Sequence, residues 1–480
     1  MRADFEKLDR AFNPKCIAVV GDSGDFQWLR AQRKFKGKLY SVQVNPKTIE
    51  VIKGMGVENH TSLIHIPEPV DLAIVSVNRK VALEVLEDCI RKDVGGAYFF
   101  TSGFSETLTK EGIKLEGLLK EKAEEARFNL IGPNCMGIFN PRLGVKQAQG
   151  QYDDTSGPVG FISQSGTHAL NFALDARLQG LTISKSISFG NGTVLDSGEF
   201  LDYFGQDEEI KVIGMYLEGM REGKRFLEVL KKVSTRKPVV IWKGGRTEGG
   251  DRAIASHTGS LAVPRTVWDA IMRQCGAVNV EGMDELIDAL KALLYLSPVS
   301  GKRVAIAGGS GGQSVAIADC VNEAGLAVPP LTKESYDELE KFFDIIGGGY
   351  GNPIDTGNSN REQLMRIMDI MVKDANVDNI VMLMGVGMGG SDPRQRDGGP
   401  SHQDKLPGGT DSVIALKKKT SKPVLAAVSA PFAPGGVREA REMIKTLQEG
   451  GVPGFVSVER AAMALKKALD YYSQRDVLKS

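Results

Sequence analysis

Cysteine is scarce in this sequence and nowhere closely paired. The five cysteines are scattered along 480 residues without a CxxC motif, at Cys16, Cys89, Cys135, Cys275 and Cys320. Isolated cysteines predict neither a disulfide framework nor a zinc site, so we expect no metal bound by this chain. They are typical of a reducing compartment, and we therefore expect a cytoplasmic protein.

Net charge and long apolar runs are also missing. The 60 lysines and arginines balance the 60 aspartates and glutamates. This balance argues against nucleic acid or an anionic membrane as the main partner, although it does not exclude a local pocket for small anions. No apolar run approaches the ~20 residues of a spanning helix, and the first residues lack an apolar signal region. A composition of 41% hydrophobic and 25% charged residues is typical of a soluble globular protein.

Two nucleotide-binding motifs do not occur. The sequence contains no GxxxxGK[ST] loop, and the turn Gly21-Asp22-Ser23-Gly24 after the first apolar strand is not GxGxxG. Asn45-Pro46 stands after the second strand, where a dinucleotide-binding fold carries an acidic residue. An NAD-linked oxidoreductase, which the first turn alone would suggest, is therefore a less favoured alternative.

The sequence does contain three runs of an apolar strand, a Gly- and Ser-rich turn and a helix. The strands are predicted at residues 16–20, 159–162 and 304–307, and the turns at residues 21–25, 163–167 and 308–313. Continuous apolar strands that alternate with amphipathic helices predict parallel sheets covered on both faces. We predict an α/β protein with domains at residues 1–150, 151–298 and 299–480.

The second and third turns carry no bulky side chain that would exclude a phosphate. Where a strand ends and a helix begins, free N–H groups and the positive helix end favour an anion. The candidate phosphate-binding residues are Ser163, Gln164, Ser165 and Gly166 in the second turn, and Ser310, Gly311 and Gly312 in the third. A tight turn chosen only for packing is the alternative for each.

One of the five histidines, His257, is predicted to lie in an exposed glycine-rich loop. Glycines at positions 244, 245, 249 and 250 follow an apolar strand, and the histidine stands in Ser256-His257-Thr258-Gly259-Ser260. Such a loop moves without disrupting a core. A neutral imidazole is a competent nucleophile, and a phosphoryl group is a common covalent cargo for it. A surface histidine in a turn is the plain alternative.

Further short motifs follow one another along almost the whole chain. They are Asn13-Pro14-Lys15, Val44-Asn45-Pro46-Lys47, Ser102-Gly103-Phe104-Ser105-Glu106, Gly132-Pro133-Asn134-Cys135, Ser163-Gln164-Ser165-Gly166, Phe189-Gly190-Asn191, Tyr216-Leu217-Glu218-Gly219, the His257 segment, Gly308 to Gln313, Asn352-Pro353-Ile354-Asp355 and Glu459-Arg460-Ala461. In this order they resemble the α subunit of ADP-forming acyl-CoA synthetases, within the succinyl-CoA synthetase superfamily. The resemblance implies a Rossmann-like CoA-binding domain followed by two flavodoxin-like parallel-sheet domains.

The resemblance also implies a chemistry. His257 would carry a phosphoryl group between two active sites, and Glu218 would bond the second nitrogen of its ring. Both phosphate-binding turns would direct helix N-termini at the phosphate. Asn134 is expected near the reacting carbonyl or phosphate. Cys135 has no activating histidine, so we interpret it as a packing residue.

CoA is expected to lie across the first domain. By resemblance its binding residues are Gly21, Ser23, Gly24, Asn45, Pro46, Lys47, Ser102, Gly103 and Phe104. Lys47 would contact the CoA phosphates as a point charge.

The chain departs from the family pattern at two places. The first turn is shorter than in the family, and Asp22 and Asp25 add negative charge near a phosphate site. After Asn191 the family usually has two acidic residues, of which Val194 replaces the first and Asp196 keeps the second. The first departure puts the details of the CoA contacts in question. The second departure has two interpretations, a different acyl group or no functional effect.

Nothing in the chain resembles the ATP-grasp module, which binds nucleotide and Mg²⁺ in this superfamily. The resemblance therefore implies a separate ATP-grasp β subunit that holds Mg²⁺ and ADP or ATP, in an α₂β₂ assembly. It implies interconversion of acyl-CoA, ADP and phosphate with a carboxylic acid, CoA and ATP. The acyl substrate stays open among acetate, longer, aromatic and hydroxy acids. A non-catalytic CoA-binding regulatory or scaffold protein is the alternative, which an intact pair of His257 and Glu218 disfavours.

Overall fold

The computed structural model describes residues 3–257, 264–309, 311–344, 350–356, 359–386, 409–430 and 436–479. The chain divides into two compact units, one of residues 1–177 and 181–286 and the other of residues 178–180 and 287–480. Both units consist of parallel strands and helices, so the predicted α/β class is confirmed. Within the described ranges, no helix is long and apolar enough to cross a membrane.

The first sheet of the first unit is wholly parallel, with strand order β3-β2-β1-β4-β5-β6. Its strands are β1 Cys16–Val20, β2 Lys38–Val42, β3 Glu58–His60, β4 Leu72–Val75, β5 Gly96–Phe99 and β6 Leu130–Ile131. The helices are α1 Phe5–Phe12, α2 Gln27–Ala31, α3 Pro46–Gly54, α4 Ala82–Arg91 and α5 Lys110–Glu125, with 3₁₀ turns at Gln32–Lys34, Leu63–His65, Arg79–Val81 and Ser105–Thr107. Strands β2 and β3 extend the sheet on one side of β1, and β4 to β6 extend it on the other, so the strand order reverses between β1 and β4. Ligands of open α/β sheets bind beside such a switch point.

The second sheet belongs to the same unit and has the order β12-β11-β10-β8-β9-β7. Its strands are β7 Gly137–Phe139, β8 Val159–Ser163, β9 Ile183–Ser188, β10 Val212–Leu217, β11 Val239–Lys243 and β12 Val278–Val280. The helices are α6 Gly166–Leu178, α7 Ser197–Gln206, α8 Gly223–Ser234, α9 Glu248–His257 and α10 Arg265–Cys275, and α11 Met283–Tyr295 begins in this unit and continues into the second at residue 287. All strands are parallel except β7, which pairs antiparallel with β9.

The second unit holds a parallel four-stranded sheet in the order β13-β14-β15-β16. Its strands are β13 Val304–Ala307, β14 Asn379–Gly385, β15 Val424–Ser429 and β16 Gly454–Phe455. The helices are α12 Gly311–Glu323, α13 Lys333–Glu340, α14 Arg361–Lys373, α15 Thr410–Lys419, α16 Gly436–Glu449 and α17 Val458–Lys479.

Strand β7 lies in the second sheet although the sequence assigns it to the predicted domain 1–150. Gly137 at its start has φ 70°, and a Cβ atom there would lie 2.3 Å from the Tyr98 ring. Only glycine fits this close approach, which lets the chain leave the first sheet and join the edge of the second. The boundaries 1–150, 151–298 and 299–480 stay a prediction.

Central strands are continuous apolar runs, as is expected of strands that are covered on both faces. Every residue of β1, β4 and β10 is buried. Strand β2 ends at Val42. The side-chain oxygen of Gln43 accepts hydrogen bonds from the N–H groups of Val44 and Asn45 at 2.9 and 3.2 Å, which turns the chain toward α3.

Candidate functional site

The second predicted phosphate turn joins the end of β8 to α6. The Ser163 hydroxyl donates to the backbone oxygen of Ser165 at 2.6 Å and accepts from its N–H at 3.2 Å. The Gln164 side-chain oxygen accepts from the N–H groups of Glu218 and Gly219 at 2.8 and 2.9 Å. The structure thus brings the turn directly against the predicted carboxylate, at the carboxyl ends of neighbouring strands.

Glu218 follows β10 and is buried, with 6% of its surface exposed. The Tyr216 hydroxyl donates to the Glu218 carboxylate at 3.3 Å. Burial raises the pKa of Tyr216, and the nearby negative charge of Glu218 raises it further. The ring of His168 packs 4.2 Å from the Tyr216 ring and 4.6 Å from that of Trp242, centroid to centroid. Glu218 therefore lies beside packed aromatic side chains, where charges interact more strongly than in water.

Lys243 is a residue that the sequence analysis did not single out. It ends β11, is 2% exposed, and donates from Nζ to the backbone oxygens of Glu218 and Gly244 at 2.7 and 2.6 Å. A lysine at the end of an otherwise apolar strand was the available signal, because lysine is almost never fully buried without a partner.

The sequence predicts a glycine-rich loop around His257, and this prediction is wrong for the backbone that leads to His257, which is helical. Residues 248–257 form α9, and only residues 244–247 are irregular. Gly249 and Gly250 lie in the first turn of the helix, where the Thr247 hydroxyl accepts from the Gly250 N–H at 3.2 Å. Buried Ile254 anchors the helix. The side chain of His257 and residues 258–263 lie outside the described residues.

The candidate CoA residues lie at the carboxyl ends of β1, β2 and β5. Gly21 has φ 82°, and a Cβ atom there would lie 2.4 Å from Val77 Cγ1 and 2.7 Å from the oxygen of Ser76. A Cβ atom at Gly24 would meet nothing within 4 Å. The turn therefore offers an open backbone surface beside the switch point, and this surface fits an approaching phosphate group.

The segment after β2 begins a helix. Asn45 caps α3 by accepting from the Lys47 N–H at 3.0 Å, and Pro46 is the first helical residue. Lys47 is exposed in the first turn, as a cation that meets a phosphate must be.

The segment after β5 differs from the prediction in one respect. The side chain of Phe104 is fully buried, so only its backbone borders the surface. The N–H of Gly103 donates to Glu106 at 2.6 Å, and the Arg79 guanidinium donates to the Gly103 oxygen at 2.5 Å. Ser102 is exposed beside them. Arg79 is a second cation here that the sequence analysis missed, since no motif contains it.

Asp22 does not direct charge at the expected CoA phosphates. It is 3% exposed, and its carboxylate accepts from the Leu29 N–H at 2.8 Å. Burial raises the pKa of Asp22, and backbone N–H groups of Leu29 and Trp28 oppose that rise. Ser23 is exposed in the same turn. The expectation that Asp22 adds negative charge at the phosphate site is therefore wrong, because the side chain is used to hold α2.

Asn134 lies between the two sheets of the first unit. Its φ is 58°, and its side-chain N–H₂ donates to Asn191 Oδ1 at 3.4 Å. Neighbouring Cys135 is buried, and burial raises its pKa to about 12, so the group is a thiol at neutral pH. This agrees with its interpretation as a packing residue.

A cavity of about 640 Å³ opens between the loops after β5, β8, β9 and β10. The polar residues that line it include Ser105, Glu116, Gln164, Asn191, Asp196 and Arg221. Burial alone would raise the pKa of Glu116, but hydrogen bonds from Ser105 and Asn191 and the Arg221 guanidinium outweigh it, and the pKa lies below its usual range. Burial raises the pKa of Asp196, whose carboxylate accepts from the Arg221 N–H at 2.9 Å.

The third predicted turn lies in the second unit. Gly308 has φ 122°, with the oxygen of Leu383 2.3 Å from the place of a Cβ atom, and Gly311 begins α12 before Gly312. Ser310 lies outside the described residues. Phosphate binding by Ser310, Gly311 and Gly312 stays a prediction.

Two family models match the chain. Residues 15–141 match a CoA binding domain, and residues 156–293 match a succinyl-CoA ligase like flavodoxin domain. The first match contains the turns after β1, β2 and β5, and the second contains the Gln164 turn, Glu218 and His257.

The chain is also similar to curated proteins. It is 33% identical over 467 residues to the alpha subunit of acetate–CoA ligase (ADP-forming) II of Pyrococcus furiosus, covering 95% of this chain and 96% of that protein. It is 36% identical over 383 residues to acetate–CoA ligase (ADP-forming) I of Archaeoglobus fulgidus, covering 78% of this chain but 55% of that protein. The chain thus spans about half of the longer relative and nearly all of the alpha subunit.

A solved structure has the same architecture. The dinucleotide forming acetyl-coenzyme A synthetase 1 of Ca. Korarchaeum cryptofilum, in complex with phosphate and ADP, aligns with a TM-score of 0.82. The alignment covers 98% of both chains at 28% sequence identity.

Proposed function

The chain belongs to the ADP-forming acyl-CoA synthetases of the succinyl-CoA synthetase superfamily, and we propose that it acts as the α subunit of such an acid–thiol ligase. The predicted family and the predicted order of a CoA-binding domain and a flavodoxin-like domain are confirmed. A non-catalytic scaffold protein and an NAD-linked oxidoreductase find no support among these relatives. The proposed reaction interconverts acyl-CoA, ADP and phosphate with a carboxylic acid, CoA and ATP.

The observation that carries this proposal is the pair of hydrogen bonds from the Glu218 and Gly219 N–H groups to Gln164. They join the phosphate turn to a buried carboxylate. A phosphate needs donors, which the start of α6 supplies, and a phosphorylated imidazole needs an acceptor for its second ring proton. Both groups are available at one edge of one sheet.

The first step forms an acyl phosphate. An oxygen of inorganic phosphate bonds to the thioester carbonyl carbon, the carbon–sulfur bond breaks, and CoA leaves as a thiolate that takes up a proton. The N–H groups at the start of α6 stabilise the phosphate charge, together with Ser165 and Gly166 in the turn. Ser163 supports the turn instead, because it is fully buried and its hydroxyl donates to the Ser165 oxygen. Asn134 donates to the oxygen of the reacting carbonyl.

The second step transfers the phosphoryl group. A ring nitrogen of His257 bonds to phosphorus, the bond from phosphorus to the acyl oxygen breaks, and the carboxylic acid leaves as its anion. Glu218 accepts a hydrogen bond from the N–H of the other ring nitrogen and so fixes the tautomer. In the third step an oxygen of ADP takes the phosphoryl group and releases the histidine.

The nucleotide step needs a partner. The longer relative is about twice as long as the matched region, whereas the Pyrococcus protein of similar length is named as an alpha subunit. This supports a separate ATP-grasp β subunit that holds Mg²⁺ and ADP or ATP, in an α₂β₂ assembly. Five free cysteines without a disulfide support a cytoplasmic location.

The proposal is tested by incubating the full-length chain with acetyl-CoA and radiolabelled phosphate. We expect an acid-labile, base-stable label on the protein, as phosphohistidine gives, and we expect His257→Ala to abolish it. His65→Ala, at an exposed position in the 3₁₀ turn Leu63–His65, is the matched control and should keep the label. A label of wild-type yield on His257→Ala would contradict the assignment.

A further inference from the structure

We propose that Glu116, with Asn191 and Arg221, positions the CoA-binding loop relative to the Glu218 loop, so that CoA and phosphate strengthen each other's binding. The inference rests on the proposed function, because that function assigns the two loops to CoA and to phosphate. None of the three residues belongs to the predicted CoA or phosphate set. They act by holding loops rather than by touching a reacting atom.

Glu116 is the centre of this cluster. It lies on α5 and is 5% exposed. One carboxylate oxygen accepts from the N–H and hydroxyl of Ser105 at 3.2 and 2.5 Å and from the Asn191 amide at 2.9 Å. The other accepts from the Arg221 guanidinium at 2.9 Å. One buried charge therefore joins the loop after β5, the loop after β9 and the loop after β10.

Asn191 carries the connection to the CoA side. Its side-chain amide donates to Glu106 at 2.8 Å as well as to Glu116. Glu106 in turn accepts from the N–H groups of Gly103 and Phe104, at 2.6 and 3.1 Å. The amide thus separates two carboxylates that would otherwise repel each other, and it ties both to the backbone expected to face CoA.

Arg221 carries the connection to the phosphate side. It follows Glu218 by three residues, and its guanidinium donates to the backbone oxygen of Asn191 from Nε and from NH2, at 3.1 and 3.0 Å. Its backbone N–H donates to Asp196 at 2.9 Å. The loop that carries Glu218 is therefore held at both ends, by Gln164 before it and by Arg221 after it.

A shared anchor produces coupling for a physical reason. A ligand that orders the CoA loop also orders Ser105 and Glu106, and through Glu116 and Asn191 it reduces the freedom of Arg221. The second ligand then meets a loop that is already ordered and loses less entropy on binding. Coupling between two binding sites is reciprocal, so each ligand must raise the affinity of the other by the same factor.

The test measures CoA binding to the full-length chain by calorimetry, with and without inorganic phosphate. We expect phosphate to tighten CoA binding roughly fivefold or more in the wild type, and Glu116→Gln to bring this factor close to one. Glu121→Gln, on an exposed position of the same helix, is the matched control and should keep the full factor. A purely structural defect would weaken CoA binding equally with and without phosphate.

A second variant keeps the test independent of folding. The Arg221 side chain is 44% exposed, so Arg221→Gln should fold even if Glu116→Gln does not. We expect it to lose the coupling, and Arg221→Lys to restore part of it. Full coupling in either Gln variant, or no coupling in a wild type that binds CoA, overturns the inference. A wild type that binds no CoA contradicts the proposed function instead.

Discussion

The Nζ atom of Lys243 lies 2.7 Å from the backbone oxygen of Glu218 and 2.6 Å from that of Gly244. A single buried ammonium therefore connects the end of β10, which carries the candidate carboxylate, to the turn that leads into α9 and His257. It donates a hydrogen bond to the backbone carbonyl at each of the two positions.

Replacing Lys243 by methionine keeps the length of the side chain but removes the donors. We expect the free energy of unfolding to fall by about 2–4 kcal/mol, because buried carbonyls lose charged hydrogen bonds. Urea unfolding at neutral pH measures the change. The exposed Lys36→Met variant should stay within about 0.5 kcal/mol of the wild type. Equal effects of the two variants would mean that the ammonium contributes nothing.

Glu218→Gln preserves the size of the side chain and removes its charge. We expect the fold to persist and the yield of phosphorylated protein to fall about tenfold or more, since a charge-assisted hydrogen bond to the phosphorylated ring is lost. Labelling with acetyl-CoA and phosphate measures this, with Glu228→Gln, exposed on α8, as control. Unchanged label in Glu218→Gln would rule out the assigned role.

His168 makes stability depend on pH. Burial lowers its pKa below the ordinary value of 6.5, although the Glu218 charge acts in the opposite direction. The native state therefore binds fewer protons than the unfolded state, and the stabilisation is complete above pH 6.5 and lost as pH falls through the lower native pKa. Comparison of urea unfolding at roughly pH 5.5 and pH 7.5 tests this.

His168→Phe keeps an aromatic ring against Tyr216 and Trp242 but cannot take up a proton. We expect this variant to lose less stability between the two pH values than the wild type does. It should also keep the phosphate label, because His257 is the proposed acceptor. The exposed His65→Gln variant should retain the wild-type dependence. The same pH dependence in His168→Phe and wild type would contradict the assignment to His168.

The lone chain should perform only the acyl-CoA half of the reaction. With acyl-CoA, ADP and phosphate we expect label on the protein but no ATP, and we expect ATP when an ATP-grasp subunit is added. A luciferase assay measures the ATP. The control is His257→Ala with the added subunit, which should form no ATP. Sustained ATP formation by the chain alone would refute the need for a partner.

Local patterns in the sequence were sufficient for the features that depend on neighbours in the chain. Apolar runs bounded by Gly and Ser predicted β1, β8 and β13 and the turns after them, because a strand buried on both faces must be apolar along its length. Glu218 was singled out by the Tyr216-Leu217-Glu218-Gly219 motif, and the structure places it directly after β10. The backbone before His257 was predicted wrongly, because two glycines in a first helical turn look like a loop when their neighbours are small.

The cluster around Glu116 was decided only by the tertiary structure. Glu116 and Arg221 are 105 residues apart, and Glu116 and Asn191 are 75 apart. No periodicity links such positions. They meet because α5, which belongs with the first sheet, packs against the loops that follow β9 and β10 of the second sheet within the same unit. The burial of Lys243 also depends on a contact between separate strand ends, since its Nζ donates to the backbone oxygen of Glu218, 25 residues away. The sequence by itself determined the apolar strands and the Gly- and Ser-rich turns after them, whereas the tertiary structure decided which charges face one another, since pairing and burial depend on contacts that only the folded chain makes.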